Sequence, residues 1–241
     1  MAHSLQSLPP LQTGEIRLLL VRHGESVANQ RRLLDNIPGS DVDTLTQTGQ
    51  EQAAALGAAI GNSQLGADES NVCVGSSTMR RAVETSEIIV QEAFPNAVCL
   101  EPQGMLVEIG NGKLDGRLIS EVVTDLQEVA GAWRAGHLDV QVGETGDSPK
   151  MLQRRSVEGL SRVLGCVPQE TNVVLLVAHF WVNRVLLAMW LEKDLSCLDE
   201  IRQPNASISV IDVKRDDCCT GQVHLVGWLP CDENITKSMH V

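Results

Sequence analysis

The residues Arg22-His23-Gly24-Glu25 follow directly on the apolar run Ile16-Arg17-Leu18-Leu19-Leu20-Val21. A guanidinium and an imidazole at the carboxyl end of a buried strand, beside a glycine that lets the backbone turn, sit where open α/β sheets place their ligands. A second histidine has the same setting: Val173-Val174-Leu175-Leu176-Val177-Ala178 runs straight into His179. A further run, Asn71-Val72-Cys73-Val74-Gly75, leads into Ser76-Ser77 and then Arg80-Arg81, and Arg184 lies beyond His179. Taken singly, each is compatible with a surface arginine or a hydrogen-bonded structural histidine. Two guanidiniums and two imidazoles meeting at one point would repel one another unless they faced a strongly anionic group, and a phosphoryl group fits. Helix N-termini at the same place would add backbone N–H donors and a positive dipole.

The elements that must hold these residues are legible as alternating strands and helices. Strands are expected at about 16–21, 71–75 and 98–100, at the run ending in Ala178, and at 208–213 and 223–226. The last two read as a hairpin. Helices are expected after Thr46-Gln47-Thr48-Gly49 to about Ile60, from about Met79 to Glu92, from Leu118 to Trp133, from a Ser148 cap with Pro149 in the first turn to about Leu164, and over 182–191. Gln30 to Thr44 and Glu108 to Arg117 read as loops. This alternation predicts a three-layer α/β/α sandwich on a mostly parallel central sheet with an antiparallel edge strand. Residues 1–14, with Pro9-Pro10, read as a flexible leader, and 15–241 as one catalytic domain.

Composition narrows the function classes. The 241 residues carry a net charge of −12, with no Lys/Arg-rich stripe to displace counterions from a nucleic acid. An anionic substrate must therefore be held by a local positive cluster against an unfavourable overall field. Seven scattered cysteines without a Cys-x-x-Cys pair argue against structural zinc. Neither a secretory signal nor a membrane-spanning stretch is legible, which predicts a protein of the reducing cytoplasm with no membrane partner.

In this order the motifs resemble the histidine phosphatase superfamily, the phosphoglycerate-mutase-like branch one. The resemblance runs from Ile16 to about Val226 and rests on Leu20-Val21-Arg22-His23-Gly24-Glu25-Ser26 with Asn29, on Leu45-Thr46-x-x-Gly49-x-x-Gln52-Ala53, and on Ser76-Ser77-x-x-x-Arg81-Ala82-x-x-Thr85. It continues through Leu106-x-Glu108, Gly112, Gly116, Gly146-Asp147-Ser148 and Val177-Ala178-His179. Carried over position by position, it implies that His23 is the nucleophile, forming a phosphohistidine, and that Arg22, Arg81, Asn29 and His179 build the phosphate pocket. Glu108 would protonate the leaving alkoxide and then activate water. The resemblance implies no metal and no cofactor, because the arginines do the neutralising. Two departures stand out. Phe180 and Trp181 follow His179 where the family commonly has glycine, placing aromatics at the pocket mouth that either narrow the substrate range or weaken the site. The loop Ile109-Gly110-Asn111 also lacks the aromatic often found after the acid.

Mutases of this family resemble one another in a long insertion after the acid, whereas only about three dozen residues separate Glu108 from Gly146 here. A more open pocket admits water. The expected activity is therefore hydrolysis of a small phosphorylated metabolite, with phosphoglycerate mutase or sugar bisphosphatase activity as the alternative. A phosphate-ester-binding module with little turnover is the reading from another class.

Overall fold

The computed structural model describes residues 5–63, 65 and 71–230. The ends of the expected leader and domain, 1–4 and 231–241, lie outside the described residues, as does Cys231. Six strands, β1 (Glu15–Arg22), β2 (Val72–Ser76), β3 (Val98–Cys99), β4 (Val173–Ala178), β5 (Ile208–Lys214) and β6 (Gly221–Trp228), form one sheet in the order β3-β2-β4-β1-β5-β6. β3, β2, β4 and β1 are parallel. β5 runs antiparallel to both β1 and β6, so the reversed strand lies inside the sheet and the antiparallel-paired edge is β6.

The unbroken apolar runs of β1 and β4 make sense because helices cover both faces. Leu18, Leu20, Val174 and Leu176 pack with Leu152, Leu160 and Val185 of α5 (Pro149–Gly165) and α6 (Phe180–Trp190). Leu19, Val21, Leu175 and Val177 point the other way, onto Leu56, Ala82 and Ile89 of α2 (Gln47–Gly61) and α3 (Arg80–Ala93). The period-2 alternation of strand side chains thus divides the core between two helical layers. With four tryptophans, two phenylalanines and no tyrosine in the chain, both halves are mainly aliphatic.

Three local outcomes differ from the sequence reading. The segment expected to be a loose leader packs from Leu5, which is buried with the α2–α3 layer, and Arg17 donates to the Pro9 carbonyl at 2.7 Å. The helix expected from Leu118 begins as a short 3-10 turn, Ile119–Glu121, whose Ile119 N–H bonds the Arg32 carbonyl, before α4 (Val123–Arg134). α6 starts at Phe180, directly after His179. Among the described residues no helix is long and apolar enough to cross a membrane.

Candidate active site

Register brings the chemistry together. Arg22 pairs with Ala178 and Ser76 with Val177 across the parallel ladder, so the next residues, His23, Ser77 and His179, leave the sheet side by side. The ladder extends one step further, as His23 N donates to Ala178 O at 3.1 Å and Ser77 N to Val177 O at 2.9 Å. The turn after His23 needs two glycines. A β-carbon on Gly24 would collide with the Gly49 carbonyl, and one on Gly49 with the Glu25 carbonyl. The start of α2 therefore rests backbone on backbone against the histidine loop.

His23 is 2% exposed, and its Nδ1 lies 2.7 Å from the Gly24 carbonyl. A carbonyl only accepts, so Nδ1 carries the proton and Nε2 keeps its lone pair. The ring of His179 lies 5.1 Å away between centroids. Its Nε2 is 2.6 Å from Ser77 Oγ, while its Nδ1 is buried without a partner among the described residues. A Ser77 hydroxyl donating to Nε2 leaves the proton on that orphaned Nδ1. Burial, reinforced by Arg81 and Arg22, pushes the His23 imidazole well below its ordinary value, and the same burial with Arg81, His23, Arg155 and Arg22 does so for His179.

Two more orphaned nitrogens belong to the arginines. Arg22 donates from Nη1 to the Gln203 carbonyl at 2.6 Å, and its Nε is buried without a partner among the described residues. Burial lowers its pKa to about 10, Glu108 opposing the shift and Arg184 and Arg81 adding to it. Arg81 enters from α3, its Nη1 paired with Asp43 at 2.9 Å and Asp35 at 3.2 Å, and its Nε is also an orphan. Buried polar groups ordinarily find partners. These three nitrogens, unpartnered among the described residues and carried on three elements, fit an oxyanion.

Arg22, His23, Asn29, Arg81, Glu108, Phe180 and Trp181 line one cavity of about 240 Å³. His179 sits behind it, fully buried. Asn29 Oδ1 accepts from Ser26 N and from Asn205 Nδ2 at 3.0 Å, which leaves Nδ2 as the donor end of the amide. The Glu108 carboxylate accepts from the backbone N–H of Ile109 at 2.9 Å and of Trp181 at 3.1 Å. Two guanidiniums lie over the Phe180 ring, Arg184 at 3.9 Å and Arg22 at 4.8 Å from its centroid. A second cleft of about 550 Å³ shares Arg22, Asn29 and Leu33 with the first. Arg80 lies apart, paired with Glu84 on the exposed side of α3.

The sequence reading did not identify Asp35, Asp43 or Asn205, nor Asn111, which also lines the cavity. All four stand in irregular segments, where no periodicity marks which polar residues turn inward. Among the described residues no group of three or more His, Cys, Asp or Glu side chains is placed to hold a metal ion. The charged donors gathered here are the guanidiniums of Arg22 and Arg81.

Known proteins resemble this chain in sequence and in fold. The chain is 28% identical over 169 residues to a metal-independent phosphoserine phosphatase of Arabidopsis thaliana, covering 70% of this chain and 66% of that protein. It is 29% identical over 213 residues to a probable 2-carboxy-D-arabinitol-1-phosphatase of the same plant, covering 87% of this chain and 40% of that one. The chain thus spans less than two thirds of either relative. The fold superposes on a mycobacterial glucosyl-3-phosphoglycerate phosphatase with a TM-score of 0.69 at 20% identity, over 88% of this chain and 99% of that one. Residues 18–223 match the sequence profile of the histidine phosphatase superfamily (branch 1), and the chain belongs to that family.

Proposed function

We propose that the protein is a phosphomonoesterase acting on a small phosphorylated metabolite through a phosphohistidine at His23. The observation that carries this reading is the His23 hydrogen bond to Gly24 O, which presents Nε2 as a neutral nucleophile to a hole with three unpartnered nitrogens. In the first step Nε2 attacks phosphorus in line, the P–O ester bond breaks, and Glu108 gives its proton to the departing oxygen. Arg22, Arg81, His179 and Asn29 hold the equatorial oxygens, where positioning and fixed positive charge supply most of the catalysis. In the second step Glu108 takes a proton from water, the water oxygen attacks phosphorus, and the P–N bond breaks. No metal or cofactor enters these steps. Between Glu108 and Ser148 the chain supplies α4 and short turns, and the adjoining cleft gives water a route to the intermediate. The six described cysteines are free thiols, which supports a reducing, cytoplasmic setting.

Phosphate release from a panel of phosphorylated metabolites and a generic aryl phosphate, compared with His23→Ala, tests the proposal. Release by the wild type alone is expected. Equal background rates in both proteins would contradict it, and phosphoglycerate interconversion without free phosphate would identify a mutase instead.

A further inference from the structure

We infer that Arg155 of α5 is the positioning residue for Glu108, an inference that rests on the proposed function. Its guanidinium gathers three backbone carbonyls of the loop that carries the acid. Nη1 donates to Met105 O at 2.8 Å and to Val107 O at 2.7 Å, and Nη2 donates to Glu108 O at 2.7 Å. Nη2 also reaches Asp147 Oδ2 at 2.8 Å. That same carboxylate oxygen accepts Gly110 N at 2.8 Å, and Asp147 N donates to Gly110 O at 2.8 Å.

One Arg–Asp pair therefore ties the backbone on both sides of Glu108, before it at Met105 and Val107 and after it at Gly110. The carboxylate end is tied separately, by Ile109 N and by the first turn of α6 at Trp181 N. Arg155 holds the backbone from one element and Trp181 holds the carboxylate from another, so the direction of the proton donor is fixed at both ends. The irregular loop has no strand partner for these carbonyls, and buried carbonyls need donors. A planar fork of five N–H groups can serve three carbonyls and a carboxylate at once, which a lysine ammonium cannot. Arg155 is not among the residues lining the cavity, so it acts through Glu108 rather than on substrate.

A purely structural brace would slow all substrates alike, whereas a brace for the acid matters in proportion to how much the leaving group needs a proton. The test is kcat/KM for para-nitrophenyl phosphate, whose phenolate departs readily, against phenyl phosphate, whose phenolate needs protonation. Arg155→Lys keeps the positive charge that also bears on His179 while removing the planar fork. The expected result is a loss on phenyl phosphate on the order of 10-fold or more, a several-fold smaller loss on the nitrophenyl ester, and unchanged inhibition by inorganic phosphate. Asp147→Asn, which leaves the carbonyl bonds of Arg155 in place, should give the same ordering at smaller amplitude and serves if Arg155→Lys does not fold. Equal losses on the two esters, or none, would overturn the role of Arg155. Absence of phosphate release from both esters by the wild type would instead overturn the proposed function, and this inference with it.

Discussion

The imidazoles of His23 and His179 lie 5.1 Å apart between ring centroids with their planes tilted by 58°. Each is tethered at one nitrogen, His23 by Gly24 O and His179 by Ser77 Oγ. The carbonyl leaves His23 with a free lone pair, and a Ser77 hydroxyl that donates leaves His179 with a free N–H. In the proposed mechanism the nucleophile and an oxyanion donor therefore come from the same residue type, distinguished by the hydrogen bond each makes behind the site.

Acid should destabilise the protein early. Both histidines have native pKa values well below the ordinary 6.5, while in the unfolded chain they titrate near it. Between those values the unfolded state binds more protons than the native state, so stability is fully present above pH 6.5 and falls as pH drops below it. Each histidine contributes up to about 1.4 kcal/mol per pH unit in that window. Thermal melts across it should show a steeper decline for the wild type than for His179→Asn. Parallel curves would contradict the assignment.

Asp43 should matter to both stability and the site. Its carboxylate is fully buried, pairs with Arg81, and accepts the Arg80 N–H at 2.9 Å. It thereby caps α3, whose own N-cap, Met79, makes no side-chain bond. Asp43→Ala leaves the buried guanidinium with only Asp35 and is expected to cost about 3 kcal/mol, with Asp43→Asn milder because it keeps an acceptor. Denaturant midpoints check this, and a wild-type midpoint for the alanine variant would refute it.

Phe180 is expected to support Arg22. A desolvated guanidinium over an aromatic face is worth about 0.5–2 kcal/mol, and the same ring also stacks under Arg184. Phe180→Leu should raise the inhibition constant of inorganic phosphate by about 10-fold, through a loosened Arg22. An unchanged constant would mean that the Gln203 carbonyl alone holds this arginine.

How far the sequence could be read follows from which residues sit in periodic elements. Strand ends at Arg22, Ser76 and Ala178 were visible because buried parallel strands are continuous apolar runs, and register then forces His23, Ser77 and His179 to adjoin. Arg155 was invisible because an arginine midway along an amphipathic helix looks like any solvated one; besides Asp147 its partners are backbone carbonyls, which leave no trace in sequence. Asp35 and Asn205 lie in irregular loops, where tertiary contacts decide which polar side chain turns inward. The inner position of β5 was equally hidden, since a hairpin at the chain end can attach to a sheet by either strand. Phe180 and Trp181 were marked as pocket aromatics by their place after His179, yet the stack on Arg184 and the bond from Trp181 N to Glu108 needed α6 to begin one residue past the histidine.

Rapid alkaline quenching of the enzyme during turnover of an aryl phosphate, followed by peptide mass spectrometry, tests the His23 nucleophile most directly. One phosphoryl group on the peptide containing His23, absent from His23→Ala, is the predicted result. Phosphate release with no phosphorylated His23 at any quench time, or undiminished release by the His23→Ala protein, would contradict it.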